Sequence, residues 1–163
     1  MTTLTGRAHV YGDNIDTDRI IPGKYTKTLD MSQLVAHVLE DLDPTFRERV
    51  QAGDILVAGH NFGCGSSREQ APIALKEVGV AAVVAKSYAR IFYRNAINIG
   101  LPLVEVAEHE ILSGVMLTVD MSHGRVTDQT SGRVYAATQM PEVMLKILGE
   151  GGLVNYLQKY GGY

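Results

Sequence analysis

Cysteine is almost absent: Cys64 is the single one in 163 residues. That excludes an internal disulfide, and it excludes a metal or iron–sulfur cluster ligated by cysteines of this chain alone. A chain without disulfides fits a reducing compartment, so a cytoplasmic location is expected. Long apolar runs are lacking too. The stretch at residues 80–85 is among the longest, far short of the ~20 residues needed to cross a bilayer. Residues 1–6 hold neither the basic nor the apolar region of a secretion signal, and no membrane role is expected. Positive charge is not in excess: 15 Lys and Arg against 18 Asp and Glu leave a net charge of −3. No basic stripe is visible, so nucleic acid is not an expected partner.

What remains is ordinary for a globular protein. The chain is 45 % hydrophobic and 20 % charged, which excludes disordered and fibrous classes. Its length suits a single domain over residues 1–163, with roughly two-thirds of the unfolded surface buried. Residues 7–11 alternate and predict a strand ended by Gly12-Asp13-Asn14. Residues 13–30 are turn-rich, and a non-periodic stretch of that length is more than a connector. A short helix is predicted over 31–40, and Asp43-Pro44 opens another to about Val50.

The middle third is the most regular. Residues 54–58 read as a buried strand, 60–67 as a glycine-rich loop, 69–78 as a helix stopped by Gly79, and 80–85 as a second buried strand. That is a βαβ unit with a parallel pair and a right-handed crossover. A helix over 88–99 and a strand over 101–106 follow. Residues 116–120, 124–128 and 133–137 predict antiparallel strands, and 141–160 one closing helix with Pro141 in its first turn. The fold class is α/β with a mixed sheet whose strand order the pattern does not reveal.

The loop Asn61-Phe62-Gly63-Cys64-Gly65-Ser66-Ser67-Arg68-Glu69 carries the chemistry. It lies at the carboxyl end of a parallel strand and before a helix, where open α/β sheets bind ligands. Gly63 and Gly65 allow a tight turn that brings N–H groups to a ligand. The helix N-terminus favours an anion, and Arg68 adds a planar fork for a carboxylate. A structural reading stands beside this one: Ser66-x-x-Glu69 fits a capping box. A helix capped by Ser66 would place Pro72 in its interior and delete a hydrogen bond, whereas a start nearer Arg68 avoids this. No Gly-Lys-Ser/Thr and no third glycine are present, so neither a phosphate-binding P-loop nor a dinucleotide fingerprint fits. His60 lies close to the serines, yet the Gly-x-Ser-x-Gly elbow is absent. Cys64 reads as a small filler or a thiol nucleophile.

Three further clusters stand out. Asp13-Asn14-Ile15-Asp16-Thr17-Asp18-Arg19 lacks the spacing of a calcium loop and reads as Asx turns. Lys24-Tyr25-Thr26-Lys27-Thr28 offers two cations after Pro22-Gly23. Arg90 and Arg94 stand one helical turn apart, where they repel unless an anion or an acidic partner lies between them.

Taken in order along residues 5–106, the segments 11–18, Ile20-Ile21-Pro22, 61–69 and 89–95 resemble the small subunits of isopropylmalate isomerase, homoaconitase and related aconitase-like hydro-lyases. The resemblance implies a swivelling β/β/α domain like the fourth domain of single-chain aconitases, with a mixed sheet. It implies a [4Fe–4S] cluster on a separate large subunit and no cofactor on this chain. The reaction implied moves a hydroxyl between neighbouring carbons of a malate-type acid by dehydration and rehydration. Ser66 corresponds to the catalytic base, Ser67 and Arg68 to carboxylate ligands, and Thr17 and Asp18 to groups that orient the site. The loop after Ile-Pro is implied to select the substrate, which adds Lys27 to the binding candidates. Isopropylmalate isomerisation in leucine biosynthesis is the first expectation. A homoaconitase or a methyl- or dimethylmalate dehydratase is the alternative, because a cation suits an additional carboxylate. A free-standing anion-binding module is the reading from a different class. Without its large subunit such a chain is expected to be inactive and able to self-associate.

Overall fold

The computed structural model describes residues 3–27 and 30–161. Met1 and Thr2, at the start of the segment searched for a secretion signal, lie outside the described residues, as does Thr28 of the Lys24–Thr28 cluster. The axis of the fold is β1 (Thr3–Val10). Its first half pairs antiparallel with β5 (Met116–Asp120), with Thr3 opposite Asp120 and Arg7 opposite Met116. Its second half pairs in parallel with β2 (Ile55–Val57), with Ala8 opposite Ile55 and Val10 opposite Val57. With β3 (Ala82–Ala85), β4 (Leu103–Glu105), β6 (Arg125–Asp128) and β7 (Val134–Ala136), the seven strands run in the order β4-β3-β2-β1-β5-β6-β7. Strands β1 to β4 are parallel and β5 to β7 extend the other edge antiparallel.

The parallel strands are buried on both faces, as short runs of Val, Leu and Ile demand. Leu56 and Val83 point into a core shared with Phe46, Phe62, Leu75 and Phe92 on the helical side. Ile55, Val57, Val84 and Val104 point the other way, onto Leu117, Val119, Val126 and Tyr135 of the antiparallel strands. The antiparallel half therefore packs over the face opposite the helices, which gives the β/β/α layering the resemblance implies. His9 of β1 and Asp54 before β2 are both buried and meet at 2.7 Å, and Asp54 also accepts from the Gln51 N–H at 3.0 Å. Burial of that pair is tolerable because its polar atoms are partnered.

The helices follow the sequence reading with shorter bounds: α2 (Met31–His37), α3 (Phe46–Arg49), α4 (Gln70–Val78) and α5 (Arg90–Asn98). Two departures stand out. Within the turn-rich segment, Thr17–Ile20 forms a helical turn, α1, capped by the Asp16 carboxylate, which accepts from the Arg19 N–H at 2.9 Å. The closing helix is in fact two, α6 (Glu142–Gly149) and α7 (Leu153–Tyr160), with Pro141 at the N-cap of α6. The break has a steric cause. The chain crosses the end of α5 at Gly151-Gly152, where a Cβ on Gly152 would stand 2.6 Å from the Asn98 carbonyl oxygen, and Gly152 has φ of +134°. Only glycine permits that approach.

Candidate active site

Three loops leave the carboxyl ends of β1, β2 and β3, and the glycine-rich loop after β2 is held between the other two. On one side the Asn14 N–H donates to the His60 carbonyl at 2.8 Å, the Gly63 N–H to Ile15 at 2.8 Å, and the Thr17 N–H to Cys64 at 2.9 Å. On the other, the Phe62 N–H donates to Ser87 at 3.1 Å and the Ala89 N–H to Phe62 at 3.0 Å. Gly63 has φ of +81°, and a Cβ there would lie 2.2 Å from Cγ of Phe92, so the loop presses directly on α5. The aspartate-rich segment is thus not a string of surface turns. It is a clamp, in which Asp13 accepts from the His60 N–H at 2.7 Å and Asn61 donates to Asn14 at 3.2 Å.

Past Cys64 the loop opens into a cleft of about 360 Å³ between the start of α4 and the start of α5. Thr17, Ser66, Ser67, Arg68, Arg90 and Asn95 face it. Ser66 and Ser67 are exposed, and their hydroxyls bond to no side chain or backbone group among the described residues. The N–H groups of Gly65, Ser66, Ser67 and Arg68 likewise donate to no acceptor among the described residues. Thr17 is buried, and its hydroxyl donates to the Ser66 carbonyl at 2.8 Å, which fixes where the Ser66 side chain starts. Helix α4 begins at Gln70 with no side-chain cap. Ser66 is therefore not a capping residue, and Pro72 falls in the first turn, where its missing N–H costs nothing.

Arg68 is held from two directions. Its guanidinium pairs with Asp18, and it lies flat against Gly23, where an added Cβ would meet Nη1 at 2.8 Å. One edge of the fork is taken by Asp18, which leaves the remaining N–H groups for a second carboxylate. Asp18 thus acts through Arg68 and does not itself line the cleft. Lys27 also lies outside the cleft lining and is exposed. It follows a 3₁₀ turn at Gly23–Tyr25 that is fastened to the site. Gln70 donates to the Thr26 carbonyl at 2.9 Å, and the Tyr25 ring stacks on His37 with centroids 3.7 Å apart.

The positions read from the glycine-rich loop (Ser66, Ser67 and Arg68) and Thr17 line one cleft, whereas Asp18 and Lys27 lie outside its lining. Arg90 and Asn95 were not expected as site residues, yet they complete the cleft wall. Part of the signal was present: Arg90 opens the helix that follows a parallel strand, and Arg68 lies two residues before such a helix. Arg94, one turn on, faces a different groove against α6. His60 contacts Ser87, with Nδ1 3.4 Å from its Oγ, and no contact joins it to Ser66. A serine–histidine hydrolase arrangement is not what the loop builds. Among the described residues no three His, Cys, Asp or Glu side chains gather as metal ligands. With one cysteine in the sequence, the chain does not fit an iron–sulfur cluster of its own.

Residues 40–109 match the aconitase C-terminal domain, a span that runs from before α3 to beyond β4 and includes the glycine-rich loop. The small subunit of 3-isopropylmalate dehydratase from Nautilia profundicola is 51 % identical over 98 % of this chain and 96 % of its own length. The chain belongs to the family of 3-isopropylmalate dehydratase small subunits. Family members are subunits of hydro-lyases, and one crystal structure, of the 3-isopropylmalate dehydratase from Methanocaldococcus jannaschii, superposes with a TM-score of 0.92. It is 45 % identical and the match covers 98 % of this chain and 95 % of that one. The methanogen homoaconitase small subunit of Methanothermobacter thermautotrophicus is 50 % identical over 96 % of this chain and 91 % of its own. Overall identity within the family does not separate the two substrates. No helix among the described residues is long and apolar enough to cross a membrane.

Proposed function

We propose that this chain is the small subunit of a cytoplasmic two-subunit hydro-lyase that interconverts 2-isopropylmalate and 3-isopropylmalate in leucine biosynthesis. The observation that carries the reading is the cleft: two unengaged serine hydroxyls, free backbone N–H groups and a half-committed guanidinium meet in one place. The large subunit brings the iron–sulfur cluster. The tasks left to this chain are to bind a carboxylate and to move one proton.

Arg68 and the Ser67 hydroxyl bind and orient a substrate carboxylate. Ser66 Oγ, as the alkoxide, takes the carbon-bound proton and becomes a hydroxyl, while the electron pair forms the alkene and hydroxide leaves the adjacent carbon. Addition of water with the two carbons exchanged returns the proton from Ser66 and gives the isomer. A serine is an ordinary base only when its anion is stabilised. The free N–H groups of residues 65–68, the start of α4 and the Arg68 and Arg90 charges supply that stabilisation. Thr17 and Asp18 hold Ser66 and Arg68 in place.

A second reading rests on Lys27, a cation with no acidic partner among the described residues. It suits the additional carboxylate of homocitrate, and the homoaconitase relative gives that reading weight. The test is co-expression with the large subunit under anaerobic conditions, followed by ultraviolet detection of the alkene from isopropylmalate and homocitrate in parallel. Turnover of isopropylmalate alone supports the first reading, and turnover of homocitrate alone replaces it with the second. Binding of carboxylates by the isolated chain, with no turnover in the complex, would indicate an anion-binding module.

A further inference from the structure

A second pocket, of about 370 Å³, lies beside the start of β2 and shares no lining residue with the Ser66 cleft. It is lined by Arg7, Ala8 and His9 of β1, Arg49 of α3, and Ser113 and Gly114 ahead of β5. Arg7 and His9 stand two apart on a strand and so share one face. That face looks toward α3, where the His9 and Phe46 rings meet edge to face with centroids 5.2 Å apart.

Among the described residues no carboxylate lines the pocket, and its donors lack acceptors. Arg7 is exposed and forms no ion pair among them. Arg49 gives Nη2 to Asp43 and Nε to Thr45, which leaves Nη1 uncommitted. Ser113 Oγ accepts from the Val10 N–H at 2.7 Å, so its own proton is free to donate. His9 differs from these. It is only 4 % exposed, and its Nε2–H donates to Asp54 at 2.7 Å, which leaves a lone pair on Nδ1. Among the described residues no side-chain nitrogen or oxygen sealed from solvent lacks a partner. Nδ1 has no partner, so it opens to the pocket that His9 lines. Two guanidiniums and a hydroxyl thus surround one acceptor.

We infer that this pocket binds a hydrogen phosphate ion: Arg7, Arg49 and Ser113 donate to its bare oxygens, and its one O–H donates to Nδ1 of His9. A tetrahedral dianion suits two guanidinium forks. Asp54 holds the imidazole in the tautomer whose free nitrogen accepts. Sulfate has the same shape and charge but no proton to give. A site built around a hydrogen-bond acceptor rejects the analogue that cannot donate to it. The bound ion ties together β1, α3 and the approach to β5, away from the Ser66 cleft.

The test is isothermal titration calorimetry of the full chain with inorganic phosphate at a pH of about 8. There a phosphate monoester is fully ionised, whereas inorganic phosphate keeps one proton. The expected result is saturable phosphate binding, with sulfate and glycerol phosphate weaker by about tenfold or more, the size of a lost hydrogen bond to a charged group. Arg7→Met and Ser113→Ala change exposed side chains of the pocket, and each should weaken phosphate by a similar factor. Arg68→Met empties the Ser66 cleft of its guanidinium and should leave this binding in place. Melting temperatures in phosphate-free buffer show that the variants fold. No phosphate binding by the wild type overturns the inference. So does sulfate or glycerol phosphate binding as tightly as inorganic phosphate, which describes an unselective cationic patch. Full affinity in folded Arg7→Met and Ser113→Ala, or binding lost only in Arg68→Met, overturns it too and places the ion elsewhere.

Discussion

At the scale of single residues, the cleft depends on how Arg68 divides its hydrogen bonds. Asp18 takes one edge and Gly23 gives the guanidinium a flat seat. A lysine can place a charge there but not a fork. Arg68→Lys is therefore expected to lower kcat/KM on the malate-type substrate by about ten- to hundredfold, the size of a lost charge-assisted hydrogen bond. Most of the loss should appear in KM, and steady-state kinetics of the reconstituted enzyme checks it. Asp18→Asn should cost less, because the Asp18 side chain is 64 % exposed and the pair is screened by solvent. Ser66, Ser67 and Arg68 were legible from the sequence because glycines, hydroxyls and a guanidinium stood together before a helix. Arg90 was legible only as a cation in need of an anion; that it lines the same cleft as the Ser66 loop, 22 or more positions earlier, is a tertiary contact that the local pattern does not encode.

At the scale of elements, the loop after β2 is shaped by contacts that punish any side chain. Gly63→Ala would combine a positive φ with a Cβ 2.2 Å from Phe92 Cγ. The expected loss is about 1–3 kcal/mol or more of stability, read as a lower denaturation midpoint, together with loss of activity because α5 and the Ser66 segment shift apart. The βαβ unit was legible because buried parallel strands are continuous apolar runs and helices end at glycine, as α4 does at Gly79 with φ of +114°. The single closing helix was a misreading with a clear origin. Residues 149–152 read Gly-Glu-Gly-Gly, a local helix-breaking signal that the single-helix reading passed over, and the contact of Gly152 with the end of α5, about fifty residues away, fixes the break there. The clamp formed by residues 13–17 was hidden because its partners lie far along the chain, in the loop after β2.

At the scale of the whole molecule, one polar network sets a pH window for stability. Tyr11 donates to Asp43 at 2.6 Å, and Arg49 pairs with the same carboxylate. Burial, the hydrogen bond to Asp43 and the Asp43 charge push Tyr11 well above its ordinary value of 10.0. Burial pushes Asp43 upward, but hydrogen bonds from Tyr11 and Thr45 and the Arg49 charge outweigh it and hold Asp43 below 3.8. A depressed carboxylate stabilises the fold above its unfolded pKa, and that contribution is lost as pH falls through the folded value. A raised tyrosine stabilises the fold below pH ~10, and that contribution is lost as pH rises beyond it. Urea midpoints are expected to fall at both edges. Tyr11→Phe should lower the plateau and flatten the alkaline edge.

All these scales meet in the claim that Ser66 moves the proton. The direct measurement is kcat and KM for isopropylmalate with Ser66→Ala, assembled with the large subunit and matched to wild type for subunit affinity. The expected result is a kcat lower by about 10²–10⁴-fold, the usual contribution of a positioned base, with KM changed less than about threefold. Near-normal turnover in the assembled Ser66→Ala enzyme would contradict the account and would move the proton transfer to another group of the cleft, with Ser67, the other unengaged hydroxyl there, the first to be replaced.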